Sequence, residues 1–417
     1  MPKRQLVQNI NLFEQFLIES MVGEIIMPRL GDIATVITKG TTPTSIGFHF
    51  QNEGINFIKI ESIDENGNFI SKKFDHISDE CHEKLKRSQL QENDVLFSIA
   101  GAIGRTAIVT KEILPANTNQ ALAIIRIPQG VINCSFLLYI LQSSMVLEQA
   151  EKKKQGVAQL NLSLKDIGNL VIPDVPLMKQ EQIVSILDKV SSLISLRKQQ
   201  LSKLDELVKA RFVEMFGSYP ANEKGWEIGT IRDLVSEVRY GSSRKASDEE
   251  SGQYPYLRMN NITYSGELDL TDIKTIDVPE NELPKCTVRK GDVLFNRTNS
   301  KELVGKTCVY NRDEMMVLAG FVVRIRVNKR ILPEVLSCFL NTDFSKQMLL
   351  RMCKTAIGQA NINAQELQDI GIYIPPIERQ TEFVDFKDHI DKSKLEIQKS
   401  LEKLETLKKA LMQKYFG

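Results

Sequence analysis

The sequence predicts an α+β protein in which two globular units of similar fold are each followed by a long helix, the two helices pairing as an antiparallel coiled coil. Three observations predict it. A 39-residue segment recurs at an offset of 200, β-branched and aromatic runs alternate with turn-rich loops ahead of each copy, and both copies carry apolar residues at 3-4 spacing without a proline.

The 417 residues suit two or three domains, and 54 Lys+Arg against 53 Asp+Glu leave a formal net charge of +1. A composition that is 42% hydrophobic and 26% charged, with 23 Gly and 14 Pro, excludes disordered, collagenous and low-complexity classes. No stretch approaches the ~18 consecutive apolar residues of a membrane span, so no membrane partner is expected. Lys3 and Arg4 give a basic start, but Glu14, Gln15, Glu19 and Glu24 would spoil a secretory core. The expected location is therefore cytoplasmic. Cys81, Cys134, Cys286, Cys308, Cys338 and Cys353 form no CxxC pair and are expected to be buried free thiols. The four histidines, His49, His76, His82 and His389, leave little material for a metal site or a catalytic triad.

In order, the elements are an N-terminal extension (1–26), a first globular unit (27–176), a central helix (177–217), a second globular unit (218–376) and a C-terminal helix (377–417). The extension has no counterpart before the second repeat. It is either an extra helix around LFEQFLIES or an upstream translation start ahead of Met27. The runs INFIKI, ALAIIRI, YPYLRM and FVVRIRV read as strands, and at least one helix is expected near SFLLYILQSSMVLEQA and near PEVLSCFLNTDFSKQML. Upstream of the helices the repeat persists with small gaps. DVLF at 94–97 recurs at 292–295, Gly104-Arg105-Thr106 answers Gly305-Lys306-Thr307, and Gly156-x4-Asn161 answers Gly358-x4-Asn363.

Residues 179–217 align on 379–417 without a gap at 11 identities in 39 pairs, among them Gln180/Gln380, Asp188/Asp388 and Phe216-Gly217/Phe416-Gly417. A wholly helical segment of this length is about 60 Å long, more than one small domain covers. The expected coiled-coil core is Leu187, Val190, Ile194, Leu201, Leu204 and Val208 on the first helix, and Ile390, Ile397, Leu401, Leu404 and Leu411 on the second. Ile183, Met215, Phe383 and Tyr415 extend the stripe, and Arg197, Arg211, Lys387, Lys394 and Lys408 interrupt it. Charges on the two helices are nearly balanced, +7 against −5 and +9 against −8, which suits a solvated or partner-facing surface.

Catalytic motifs are missing. SKELVGKT (300–307) lacks the first glycine of a phosphate loop and leads into CVYNRDE, which reads as a strand end and turn. AGAIG (100–104) lacks GxGxxG and a following helix. No G-x-S-x-G or HExxH is present, and Pro375-Pro376 is followed by Ile377 where an aromatic would mark a methyltransferase. No catalytic, cofactor-binding or metal-ligating residue is expected on this chain.

What remains is binding by paired modules. The donor-rich loops supply Lys39, Thr41 and Thr42 in KGTTPTS, Arg105 in SIAGAIGRT, and Arg239, Tyr240, Ser242 and Arg244 in RYGSSRK. Arg258 and Asn260 come from RMNN, and Asn296, Arg297, Asn299 and Lys301 from NRTNSK. Such side chains read base edges and clamp phosphates, and they are equally ordinary loop residues. With a net charge of +1, any affinity for DNA must be local or shared with more basic partners.

PRLGDIA (28–34) and GWEIGTIRDL (225–234) open the two halves. DVLFSIAGAIGRTAIV (94–109) answers GDVLFNRTNSKELVGKTCVY (291–310), and IPDVPLMKQEQIV (172–184) answers IPPIERQTEFV (374–384). This layout, in order and twice over from about residue 28 to 417, resembles the DNA specificity subunit of type I restriction-modification systems. The resemblance implies two target recognition domains, each reading half of a split, asymmetric site in double-stranded DNA, with the paired helices fixing the unread spacer. It also implies partners: two methyltransferase subunits that methylate adenine with S-adenosylmethionine, and motor-nuclease subunits using ATP and Mg. This chain would itself hold no cofactor. Two rivals stay open, a protein-interaction scaffold without DNA and an enzyme with diverged motifs.

Overall fold

The computed structural model describes residues 27–153, 161–246, 252–356 and 359–417. The expected N-terminal extension, 1–26, lies outside the described residues. Contacts divide the chain into two compact units, one built from the chain up to Ser195 together with Glu402–Gly417, the other from Leu196–Leu401.

The first unit holds strands β1 (Val36–Lys39), β2 (Ile55–Ile58), β3 (Asp75–Ile77), β4 (Val95–Ser98), β5 (Thr106–Ile108), β6 (Ala116–Thr118) and β7 (Leu122–Arg126). Its helices are α1 (Leu30–Ile33), α2 (Asp79–Lys84), α3 (Cys134–Leu141), α4 (Ser144–Lys152) and α5 (Leu164–Gly168), and α6 (Leu177–Phe216) begins in it. An antiparallel sheet runs in the order β1-β7-β4-β5, and a smaller one, β3-β2-β6, contains the parallel pair β2 and β6. Period-2 alternation sends β4 side chains both ways. Val95 and Phe97 enter the core beneath the helices, while Leu96 enters a second core with Ile58, Ala116 and Ile124.

The second unit repeats this frame with β8 (Glu227–Thr230), β9 (Val235–Tyr240), β10 (Tyr254–Leu257), β11 (Lys274–Ile276), β12 (Thr287–Val288), β13 (Val293–Asn296), β14 (Thr298–Asn299), β15 (Thr307–Val309), β16 (Met316–Leu318), β17 (Val322–Val327), β18 (Lys354–Ala356), β19 (Gln359–Asn361) and β20 (Gly371–Ile374). Its helices are α7 (Leu283–Cys286), α8 (Pro333–Leu340), α9 (Asp343–Met352), α10 (Ala364–Gln368) and α11 (Ile377–Phe416), the last of which ends in the first unit. The sheet order β15-β13-β17-β9 matches the first unit strand for strand, and Val293 and Phe295 again face the helices while Leu294 faces the other core.

The sequence repeats mark the fasteners of this frame. Asp94 of the first DVLF is fully buried, and both its oxygens accept from Arg126 at 2.7 Å. Asp292 of the second is bound by Arg326 at 2.9 and 3.4 Å. Each aspartate also accepts a backbone N–H, from Gln91 at 2.8 Å or Arg289 at 2.9 Å. Gly40 and Gly241 mark a close approach of backbones, since a Cβ there would lie 1.8 Å from the Thr118 carbonyl oxygen or 2.3 Å from that of Ala319.

Gln180 and Gln380 tie the long helices to their units. Gln180 Oε1 accepts from the Asn133 N–H at 2.8 Å and its Nε2 donates to the Val175 carbonyl at 2.6 Å. Gln380 accepts from the Leu332 N–H at 2.8 Å and donates to the carbonyls of Arg330 at 2.9 Å and Pro375 at 2.8 Å. Both amides are buried, so each bond satisfies a backbone group that water does not reach.

The two long helices pack together and run in opposite directions. In the first unit Ile183, Val184 and Leu187 share a core with Leu411, Met412, Tyr415 and Phe416. In the second, Phe212, Phe216 and Phe383 meet edge to face with centroids 4.9 to 5.5 Å apart, and Arg211 pairs with Glu382 at 3.4 Å. Leu187, Val190, Ile194 and Leu401 are buried; Leu201, Leu204, Val208, Ile390, Ile397, Leu404 and Leu411 are half-buried; and Leu193, Leu196, Leu207, Leu395 and Leu407, off the stripe, are exposed. Lys394 is half-buried on the stripe and pairs with Asp205 and Glu267, which compensates its loss of water.

Near 135–150 and near 333–349, where the sequence predicts at least one helix, there are two, because Ser143 and Thr342 accept the N–H groups of Val146 at 3.4 Å and Ser345 at 3.2 Å and so start a new helix. One feature differs from the sequence reading. Of the six free thiols, Cys81, Cys286 and Cys308 are buried, whereas Cys134, Cys338 and Cys353 are half-buried, lying near helix surfaces or ends. Among the described residues no helix is long and apolar enough to cross a membrane.

Replacing Gln380→Ala strands one N–H and two carbonyls in a buried site, and is expected to lower stability by about 2–4 kcal/mol. Gln180→Ala frees one N–H and one carbonyl and should cost less. Urea denaturation of both variants checks the order, and equal, negligible shifts would refute the clamp.

Candidate nucleic-acid interface

The polar side chains singled out above lie at the ends of β1, β9 and β13, in the turns that follow them, between β4 and β5, and in the turn after β10. In the first unit Lys39 is half-buried at the end of β1, Thr41 is half-buried, and the Thr42 hydroxyl donates to Gln120 Oε1. Arg105 turns inward: Nη1 donates to the carbonyls of Ile60 at 3.2 Å and Ile63 at 3.0 Å. Lys306, its repeat partner, does the same from the second unit, donating to the Met259 carbonyl at 2.8 Å. The repeated Gly-basic-Thr is thus a structural anchor for the turn after β2 or β10.

In the second unit three of the five candidate cations are paired with acids. Arg239 pairs with Glu237 at 2.5 Å, Arg244 with Glu282 at 2.7 Å and Arg258 with Asp272 at 2.8 Å. Burial would raise the Glu237 carboxyl, but the hydrogen bond from Arg239 and the charges of Arg324 and Arg326 hold it below the usual carboxylate range. Arg324 is fully buried where the corresponding residue of the first unit is Ile124, and burial lowers its pKa. Ser242 is buried and accepts from the Arg244 N–H at 3.2 Å, while Asn260 and Lys301 are exposed.

Of these residues the structure brings Tyr240 and Arg297 together. The Arg297 guanidinium lies 4.9 Å from the centroid of the Tyr240 ring, and its Nη2 donates to Asn361 Oδ1 at 3.1 Å. The Tyr240 hydroxyl accepts from the Ala364 N–H at 3.0 Å. Asn361 escaped the sequence reading. Strand pairing sets Asn161 against Ala100 and Asn361 against Thr298, so Asn361, not Asn363, corresponds to Asn161. Asn363 instead caps α10, as Ser163 caps α5.

A second group the sequence did not mark is Lys346 of α9. Its ammonium donates to the Gly305 carbonyl at 3.3 Å and lies 4.9 Å from the Tyr264 ring centroid. Burial, then the charges of Lys209 and Lys306, push its pKa down to about 8. Among the described residues no three His, Cys, Asp or Glu side chains group to hold a metal ion.

Because Lys346 binds its proton less tightly when folded, the unfolded chain carries the extra proton between pH 8 and the usual lysine value. Stability should therefore rise with pH across that window. Lys346→Met should flatten the rise and stabilise the protein at pH 7, as urea midpoints at pH 7 and 9.5 would record.

Residues 26–206 and 223–409 each match the family described as type I restriction modification DNA specificity domain. The chain is 22% identical over 272 residues to the EcoKI specificity subunit of a type I restriction enzyme of Escherichia coli K12, covering 62% of this chain and 58% of that one. It is 29% identical over 194 residues to the putative MjaX specificity subunit of Methanocaldococcus jannaschii, covering 46% and 45%. The chain thus spans about half the length of these relatives. The type I restriction-modification S subunit of M. genitalium has the same fold, with a TM-score of 0.53 at 14% identity over 95% of this chain and 98% of that one. With both halves matched in turn, the protein belongs to the family of type I restriction-modification DNA specificity domains.

Proposed function

We propose that this chain is the DNA-binding specificity subunit of a type I restriction-modification complex, in which each globular unit reads one half of a bipartite, asymmetric site. The observation that carries this reading is one frame used twice with different side chains at corresponding places. At the end of the first strand stand Lys39 and Tyr240, and after DVLF the residues diverge from Ser98-Ile99 to Asn296-Arg297. Units that share a backbone but not their loop chemistry select different half-sites, so the whole site is not a palindrome.

In this reading the paired helices set the unread spacer and scaffold two adenine methyltransferase subunits, joined by motor-nuclease subunits for restriction. S-adenosylmethionine, ATP and Mg belong to those partners, and this chain contributes no catalytic group. The near balance of charge supports a role shared with more basic partners, since phosphate contacts dominate affinity for duplex DNA.

Co-expression with its methyltransferase partner and sequencing of modified adenines in host DNA should reveal a single bipartite motif with a fixed spacer. A well-folded complex that leaves no new motif, with no salt-sensitive duplex binding, would favour the protein-interaction scaffold. Inserting one heptad into each long helix should lengthen the spacer by about 10 Å, or about three base pairs. An unchanged spacer would refute the ruler.

A further inference from the structure

The segment from the end of β13 through β14, Asn296-Arg297-Thr298-Asn299, holds an unusual store of unused hydrogen-bonding capacity. Among the described residues, buried side-chain atoms without a partner include Asn296 Nδ2 and Oδ1, Arg297 Nε, Thr298 Oγ1 and Asn299 Nδ2. Asn296 is fully buried and Thr298 is 5% exposed. Each such atom costs roughly 1–3 kcal/mol when left unmet, so four successive residues of this kind are not there for the stability of the fold.

The first unit shows that the frame does not require them. At the position of Arg297 it has Ile99, buried in the core, and the two are matched by identical backbone bonds: Leu162 N–H to the Ile99 carbonyl and Ile362 N–H to the Arg297 carbonyl, both 2.9 Å. At the position of Asn296 it has Ser98, whose hydroxyl is fully used, donating to the Ala102 carbonyl and accepting from the Arg105 N–H at 2.7 Å.

Arg297 is also held for display. Its backbone N–H donates to the Phe321 carbonyl at 3.0 Å, its guanidinium lies over the Tyr240 ring, and Asn361 takes one Nη2 proton. Tyr240 is 45% exposed, so the stack lies at the surface. Arg239, Arg244, Arg258, Arg324 and Arg326 all spend their charge on carboxylates, whereas the described contacts of Arg297 are an amide oxygen and an aromatic face.

We propose that Arg297, stacked on Tyr240 and flanked by Asn296, Thr298 and Asn299, is a specificity-determining residue of the second unit, which reads the acceptor edge of a guanine in its half-site. The proposal rests on the functional reading above and deepens it. A planar fork with free donors matches the O6 and N7 acceptors of guanine, and prior ordering by the tyrosine ring and Asn361 lowers the entropy lost on contact.

The test uses the full chain in complex with its methyltransferase partner and a set of duplexes in which each base pair of the methylated motif is changed in turn. Arg297→Ala should weaken the wild-type site about 10- to 100-fold and erase discrimination at one guanine of one half-site, leaving the other half-site unchanged. Arg297→Lys should fail to restore it. Loss that is equal on every duplex, with a shallower salt dependence, would mean a phosphate contact and overturn the proposal, as would discrimination unchanged at every position. Thr298→Val provides a second arm. Its melting temperature should hold or rise while cognate binding falls several-fold, whereas a lowered melting temperature would show that the hydroxyl serves the fold and overturn the argument. A wild-type complex without any bipartite preference would refute the functional reading itself, before any variant is compared.

Discussion

Neither globular unit closes its apolar core with its own strands and short helices. The first is completed by Phe416, 3% exposed and edge-on to Phe136 at 5.4 Å, from the last turn of α11. The second is completed by Phe212, Met215 and Phe216 from the end of α6, against Phe383 near the start of α11. Each fully buried phenylalanine contributes about 2–3 kcal/mol, so helix pairing and domain folding are one cooperative requirement. Gln180 and Gln380 then set the rotation of each helix about its axis, because a buried amide must meet its backbone partners to be tolerated.

With the frame fixed in this way, the variable positions are free to differ. Asp94 with Arg126 and Asp292 with Arg326 tie the same two strands in both units, and Gly40 and Gly241 let the same loop pass close to the neighbouring strand. Around these constants Ile124 becomes Arg324, Ile99 becomes Arg297 and Lys39 becomes Tyr240. The second unit carries several of its arginines pre-paired with acids, Arg244 with Glu282, Arg258 with Asp272 and Arg324 with Glu237.

The architecture was legible because its determinants are local or periodic. A 3-4 stripe and an ungapped repeat survive in linear sequence, and the identities at Gln180/Gln380 and Phe216/Phe416 proved to be buried fasteners. The reason for DVLF was not legible, since Asp94 finds Arg126 32 residues away. The candidate loops were legible only by residue type. Nothing in RYGSSRK or RMNN announces that Arg244 is held by Glu282, or Arg258 by Asp272, or that Arg105 faces inward to the carbonyls of Ile60 and Ile63. Orientation comes from tertiary partners, and so does the stack of Arg297 on Tyr240.

The division of the chain has a consequence for its synthesis. The second unit is one unbroken stretch, Leu196–Leu401, whereas the first needs Glu402–Gly417 to finish its core. Chains emerge N-terminus first, so the earlier unit waits on the ribosome with an apolar face open until the final turns of α11 arrive. The interval between the synthesis of Ser195 and that of Phe416 is therefore when this face is most exposed to misassociation.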